Sequence, residues 1–343
     1  MKGRLAPSPT GNLHLGNAFT FLLAWLSAKA QGGALVLRLE DLDPQRSRMA
    51  FALGILEDLT WLGLTWDEGP ALSPPAADSP FFPEKGDFGP YSQSSRLGRY
   101  AAVLDNFARQ GLLYPCFCTR RELRFLPGAP HAGDEGAPYS GACRRLSSAE
   151  RSARISSGAS FALRLDTAWA RERVRRDNPH IPETALFAWE DALRGPQTFV
   201  PENSGDDFAL RRSDGVYAYQ LAVTVDDAAM GVTEVVRGDD LLSSTPRQVL
   251  LLRLLGAPIP RYAHVPLLRN GQGERLAKRH PGFALRALRT SGLSPEKTVG
   301  LLARLAGLRQ TQVPLPPAAL VPGFSFRSLR NRVPVLDECS LRA

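Results

Sequence analysis

The chain has 343 residues, 43% of them hydrophobic and 22% charged, with a formal net charge of +8 at pH 7. That length holds roughly two or three domains with packed cores, and the ordinary composition excludes a disordered or fibrous chain. The positive charge suits a nucleic-acid partner, since cationic side chains displace counterions from phosphates, and it equally suits an arginine-rich genome, because arginine far outnumbers lysine.

The opening MKGRLAPSPT has no apolar run of the kind a secretory leader carries, so a cytoplasmic protein is expected. Gly3 to Leu5 reads as a short strand, followed by a Pro-Gly loop. A helix starts near His14, with Leu15, Ala18, Phe19, Leu22, Leu23 and Leu26 at the spacing of one buried face. Its apolar run, Phe19 to Ala28, stops at Lys29, short of the ~20 residues of a membrane helix, and no membrane partner is expected. ALVLRL (34–39) is a strand, EDLDP follows at its C-terminal end, and a second helix is expected from Pro44 to Leu62. This order begins a parallel α/β sheet. Residues 69–90 are rich in proline and read as an irregular surface loop. Helical spacing resumes near Ser94, with Leu97, Tyr100, Leu104 and Phe107 on one face. A mixed segment carrying Cys116, Cys118 and Cys143 runs to about residue 190, with a capping box at Ser147–Glu150. From about 205 the α/β pattern returns. It has a turn at Ser213-Asp214-Gly215, a strand at Gly231–Gly238, a helix at Ser243–Leu255, a strand at Ala263–Leu268 and an NGQG turn. A last helix starts with Ser294 as N-cap and Pro295 in its first turn. No internal repeat is found. The expected fold is α/β: a Rossmann-like parallel sheet in two halves (1–98 and 201–257), split by an α+β insertion (99–200). A small helical subdomain (258–310) and a Pro-rich, weakly patterned tail (311–343) follow.

In such a sheet the first strand-to-helix loop binds phosphates, because the helix N-terminus offers unpaired amides and the positive end of its dipole. Here that loop is PSPTGNLHLGN, Pro7 to Asn17. Gly11 permits a turn, Gly16 clears room for a flat ring against the backbone, and His14 can donate to a phosphate oxygen. His-x-Gly alone is as readily an ordinary helix start. The full string RLAPSPTGNLHLG closely resembles the signature of class I aminoacyl-tRNA synthetases of the glutamyl branch, with HLGN (Asn17 last) in place of HIGH. The glutaminyl branch carries a PEPNG-like string, so Ser8 and Thr10 favour glutamate. LRLEDLDPQRS (37–47), Tyr219 to Gln248, and PLLRNGQGERLAKR (266–279) extend the resemblance; RLAKR stands where the family writes KMSKS.

The resemblance implies ATP-dependent activation of a carboxylate, giving an aminoacyl-adenylate and pyrophosphate. It assigns His14, Gly16 and Lys278 to ATP, with His14 and Lys278 catalytic and Mg2+ accompanying the nucleotide. It assigns Arg4, Leu5, Ala6, Pro7, Ser8, Glu40, Tyr219 and Arg237 to L-glutamate. The chemistry is consistent: a guanidinium fork binds a carboxylate through two parallel bonds, and an anion such as Glu40 suits an ammonium. Read singly, Arg237 and Glu40 are as easily structural, RLAKR is a solvated basic loop, and Arg38 with Asp41 reads as a surface pair.

Cys116 and Cys118, as C-x-C, are too close to bond to each other, but two thiolates can share an ion. With Tyr139 and Cys143 they can close a tetrahedral zinc site; buried free thiols are the competing reading. The C-x-C and Y-x-x-x-C arrangement resembles the zinc site of one subfamily, the glutamyl-queuosine tRNA(Asp) synthetases, which implies one structural Zn2+ per chain. Cys339 matches nothing. The family's longer members add a helical anticodon-binding region after the catalytic half, whereas only a short tail follows here. The truncated subfamily activates glutamate without tRNA and transfers it to queuosine at the wobble position of the tRNA(Asp) anticodon stem-loop; a monomer is expected. Two alternatives stay open: a compact glutamyl-tRNA synthetase charging a 3′ end, and a non-catalytic tRNA-binding paralogue. Intact His14, Glu40 and Lys278 weigh against the second.

Overall fold

The computed structural model describes residues 1–73, 82–119, 122, 139, 141–199, 207–276 and 283–336. β1 (Lys2–Leu5), α1 (Leu15–Ala30), β2 (Ala34–Leu37) and α2 (Met49–Trp61) form the first unit, with β1 and β2 parallel and Arg4 opposite Val36. The second helix was expected from Pro44 but starts at Met49. The carbonyl of Asp43 accepts from Arg46 and Ser47 and its side chain from Gln45, so a local turn takes the donors a helix would use. Where it is described, at 69–73 and 82–90, the Pro-rich stretch holds a short ribbon in place of an irregular loop. β3 (Gly69–Pro70) and β4 (Glu84–Lys85) pair antiparallel, and the Tyr91 hydroxyl pins the ribbon by donating to Glu68 and accepting from the Phe88 amide.

α3 (Leu97–Arg109) leads into β5 (Leu113–Cys116). Then come α4 (Ser148–Ser156), which opens on the expected Ser147/Glu150 box, and β6 (Ala162–Leu165). Next are α5 (Thr167–Asp177), α6 (Glu183–Leu186), the hairpin β7 (Ala188–Asp191) and β8 (Gly195–Thr198), and β9 (Ala209–Arg211). β5, β6 and β9 make a separate antiparallel sheet. α7 (Tyr219–Ala229), β10 (Glu234–Gly238), α8 (Thr245–Leu254) and β11 (Arg261–Val265) restore the parallel pattern, with Arg237 opposite His264, and β11 also pairs in parallel with β7. The two halves meet where the Thr233 amide donates to the Lys2 carbonyl at 2.8 Å. The connections leave β1 and β10 in opposite directions, so a crevice opens at their carboxyl ends, the place where open α/β sheets bind ligands.

β12 (Arg269–Asn270), α9 (Leu285–Thr290), α10 (Pro295–Leu305) and β13 (Val335–Leu336) complete the chain. The segment expected to be a weakly patterned tail is instead a packed cover. β13 pairs with β12, and Leu320, Phe326, Leu329 and Leu336 join the core cluster of Leu22, Leu26, Leu301 and Leu302. Gly300 permits the close approach, since a Cβ there would lie 2.2 Å from the Val313 carbonyl oxygen. α1 is buried on more than the one expected face, with Ala24, Trp25, Ser27 and Ala28 inside as well: Ser27 donates to Glu234 on β10 and Trp25 to the Thr65 carbonyl. Among the described residues no helix is long and apolar enough to cross a membrane.

Candidate active site

His14 is the N-cap of α1. Its Nδ1 accepts the Gly16 amide at 3.0 Å, and Asn17 Oδ1 accepts the His14 amide at 3.2 Å, closing a reciprocal capping box. An accepting Nδ1 requires the neutral ring to carry its proton on Nε2, so His14 is a donor at a helix N-terminus. A Cβ on Gly16 would meet the His14 ring at 2.9 Å. The imidazole therefore lies where only a glycine leaves it room. Asn17 replaces the family's last histidine and is the reciprocal half of the cap, a role its position in the motif did not reveal.

The segment after β1 runs beside the segment after β2. Leu5, Pro7 and Pro9 carbonyls accept from Arg38, Glu40 and Arg48 amides. Leu5 and Pro7 are buried, Ala6 is half-buried and Ser8 is exposed. This pairing holds Arg4 and Glu40 at one mouth. Arg4 donates to the Val236 carbonyl at 3.0 Å and lies 3.6 Å from Asp227. Arg38, read above as a surface residue, is fully buried. It donates to Asp227 at 2.7 Å and to Glu40 at 3.1 Å, and lies 3.8 Å from Asp226. Asp226 is in turn held by Arg96 (2.5 Å), Tyr100 (2.8 Å) and Gln93 (2.9 Å). Asp41 faces away and accepts from the Ser94 amide and hydroxyl. Three arginines and three carboxylates thus balance in this cluster. Burial pushes the Glu40 carboxyl up, against the pull of Arg38 and Arg4.

Arg237 differs. Its Nε donates to His264 Nε2 at 3.1 Å, Nη1 to Gln248 at 2.7 Å and Nη2 to Thr245 at 2.9 Å, and the guanidinium lies over the Tyr262 ring. Every one of these acceptors is neutral, so the guanidinium is rigidly held while its charge is left for a ligand anion. His264 can accept only because its Nδ1–H donates to Asp191 at 2.6 Å. Burial and the Arg237 charge hold the His264 pKa below its ordinary value, opposing Asp191. Tyr219, at the start of α7, completes the group. Burial raises its hydroxyl pKa, and it sits in the fields of Arg237, Glu40, Arg4 and Asp227. Four of the expected glutamate residues, Arg4, Glu40, Tyr219 and Arg237, therefore converge. Gln248, Asp191 and His264 were not foreseen, because nothing local in their sequence marks them.

Lys278 lies outside the described residues. The flanks of its segment abut the opening loop: Leu276 packs near Gly16, and the Leu285 amide donates to the Leu13 carbonyl while Ala284 bridges His14.

Away from this crevice, Cys116, Cys118 and Cys143 bring their sulfurs within 4.8 Å of one another. The 3.6 Å between Cys118 and Cys143 is far too long for a disulfide. It matches the roughly 3.8 Å edge of a tetrahedron with ~2.3 Å metal–sulfur bonds. The Phe117 amide donates to Cys143 Sγ at 3.3 Å, a contact that stabilises a thiolate, and hydrogen bonds lower the Cys143 pKa. Burial and Cys116 push the Cys118 thiol up to about 12. The Tyr139 hydroxyl accepts from the Cys143 amide at 2.7 Å, so the four expected ligands share one pocket.

A parallel sheet with a capped His-x-Gly helix start at its switch point is the arrangement at which open α/β sheets bind nucleotides. Residues 1–312 match the family of class I tRNA synthetases (E and Q), catalytic domain, and the chain belongs to that family. It is 52% identical to a glutamyl-Q tRNA(Asp) synthetase of Nitratidesulfovibrio vulgaris, over 97% of this chain and 94% of that one. It is 47% identical to the protein of the same name from Symbiobacterium thermophilum, over 94% and 92%. A glutamate–tRNA ligase 2 of Nitrosococcus oceani is 40% identical over 89% of this chain but only 59% of its own length. Among solved structures, a glutamate-tRNA synthetase from Elizabethkingia anophelis superposes with a TM-score of 0.76 at 25% identity, covering 100% of this chain and 69% of that one.

Proposed function

We propose that this chain activates L-glutamate with ATP, without tRNA, and transfers it to queuosine at the wobble position of the tRNA(Asp) anticodon stem-loop. The observation that carries this reading is the end-to-end match to two glutamyl-Q tRNA(Asp) synthetases, against a match to only 59% of a glutamate–tRNA ligase. In this reading a glutamate carboxylate oxygen attacks the α-phosphorus of ATP and pyrophosphate leaves; an acceptor hydroxyl then attacks the acyl carbon and AMP leaves. Arg237 and Arg4 hold the substrate carboxylates and Glu40 its ammonium. The hydroxyl of Tyr219 and the backbone of Leu5 to Ser8 close the pocket. His14 Nε2–H and Lys278 stabilise charge on the phosphates, where Mg2+ accompanies ATP; positioning and electrostatics supply most of the acceleration. Cys116, Cys118, Cys143 and Tyr139 hold one Zn2+ that ties β5 to the segment around residue 143.

Pyrophosphate exchange with glutamate in the absence of tRNA tests the first half. Labelled glutamate offered to tRNA(Asp) with and without queuosine tests the second. Exchange that needs tRNA, together with label on the 3′ end, would make the chain a compact glutamyl-tRNA synthetase. No exchange under either condition would leave a binding paralogue.

A further inference from the structure

Arg38 stands one residue past β2 with no exposed surface. A guanidinium in a core is costly to desolvate, and apolar packing often serves stability as well, so its surroundings should show what the charge is for. Three carboxylates share it. Nη2 donates to Glu40 Oε1 at 3.1 Å, Nη1 donates to Asp227 at 2.7 Å, and Nε lies 3.8 Å from Asp226. The two aspartates are held from elsewhere too, Asp226 by Arg96, Tyr100 and Gln93, and Asp227 by Arg4 at 3.6 Å. Glu40 is not. Among the described residues Arg38 is the one donor to its carboxylate, and Oε2 is left unclaimed. The amides of Arg38 and Glu40 donate to the Leu5 and Pro7 carbonyls, and residues two apart on an extended chain present their side chains to one face.

We propose that Arg38 is a positioning residue of the amino-acid pocket: anchored on Asp226 and Asp227, it fixes one oxygen of Glu40 and so turns the other towards the substrate ammonium. The inference rests on the proposed role of Glu40. The same contact keeps that carboxylate charged. Arg38 and Arg4 favour its ionised form, Asp227 opposes it, and Tyr219 is the further titratable group beside it. Burial pushes the Glu40 carboxyl up, so without Arg38 it stays protonated to higher pH and loses its hold on an ammonium.

The test uses full-length Arg38→Met and Arg38→Lys chains in pyrophosphate exchange without tRNA. Arg38→Met should raise KM for glutamate at neutral pH by about tenfold or more, with KM for ATP at the parent level. The acid limb of its pH profile should lie at higher pH than the parent's. Arg38→Lys keeps the charge but cannot reach Glu40 and Asp227 together, so its KM for glutamate should rise less, with an acid limb close to the parent's. Glutarate, which lacks the ammonium, should inhibit parent and variants alike. Equal losses of glutamate and glutarate would make Arg38 a support of the whole pocket and overturn the proposal. If Arg38→Met does not fold, Arg38→Lys decides alone: a raised KM for glutamate with unchanged inhibition by glutarate supports positioning, and an unchanged KM overturns it. Glu40→Gln separates the inference from the reading beneath it. If that variant keeps the parent KM for glutamate, the role of Glu40 falls; if it raises KM and the Arg38 variants do not, only the positioning role falls.

Discussion

At the scale of single residues, the buried chain Asp191–His264–Arg237 is the least expected feature and the most exposed to test. Its members lie on three strands of one sheet, so no window of sequence shows them together. Asp191→Asn removes the charge that holds His264 with its proton on Nδ1, so KM for glutamate should rise on the order of tenfold, with a smaller change in kcat. Arg237→Lys cannot reproduce three fixed donors and should raise that KM by about 10- to 100-fold. Exchange kinetics across a glutamate titration measure both. The pH dependence has a fixed sign. His264 has a depressed folded pKa, so the unfolded chain takes up the proton first. The stability it contributes is present above its ordinary value of 6.5 and is lost as pH falls below it. Asp191, also depressed, acts in the same direction at lower pH. Protonated His264 cannot accept from Arg237, so KM for glutamate should climb as pH falls through the folded pKa of His264, which lies below the ordinary 6.5. An acid-side profile that stays flat, with Asp191→Asn also silent, would disprove the relay. By contrast, Arg4, Glu40, Tyr219 and Arg237 were legible in advance because each sits inside a motif. Arg38 sits in one too, but strand alternation alone could not tell an inward guanidinium from an outward one.

At the scale of elements, caps and turns decide more than propensity. The capping box at Ser147 and the N-cap at Ser294 were readable because a side-chain oxygen and its target lie three residues apart. The box at His14 was not, since it uses an imidazole and an asparagine. Asn17→Ala should cost about 1 kcal/mol of stability, seen as a lower denaturant midpoint. The cysteine cluster joins β5 to a turn more than twenty residues later, and the pattern of thiols exposed it where no periodicity could. Cys143→Ser should lower bound zinc from about one ion per chain towards none, and should lower the melting temperature while leaving the crevice residues in place. Metal analysis and thermal melts of the variant check both. The β3–β4 ribbon was hidden because proline and glycine mask so short a pair.

For the whole molecule, the parallel sheet could be read from the order of strands and helices, but not that β7, from within the expected insertion, joins it beside β11. The packed C-terminal cover could not. Its contacts come from isolated apolar residues, Leu320, Phe326, Leu329 and Leu336, spaced by turns rather than by any helical or strand period. Phe326→Ala should cost about 3 kcal/mol and lower the melting temperature, even though Phe326 lies more than three hundred residues from β1 in sequence. The joining of β1 to β10 has a consequence for synthesis. Arg4 finds its carbonyl partner 232 residues downstream, and at ribosomal speeds of ~5–20 residues per second that partner emerges roughly 12–46 s later. For that interval the nascent chain carries its first strand with one edge bare. No ribosome-bound fragment shorter than about 240 residues can therefore bring Arg4 and Arg237 together.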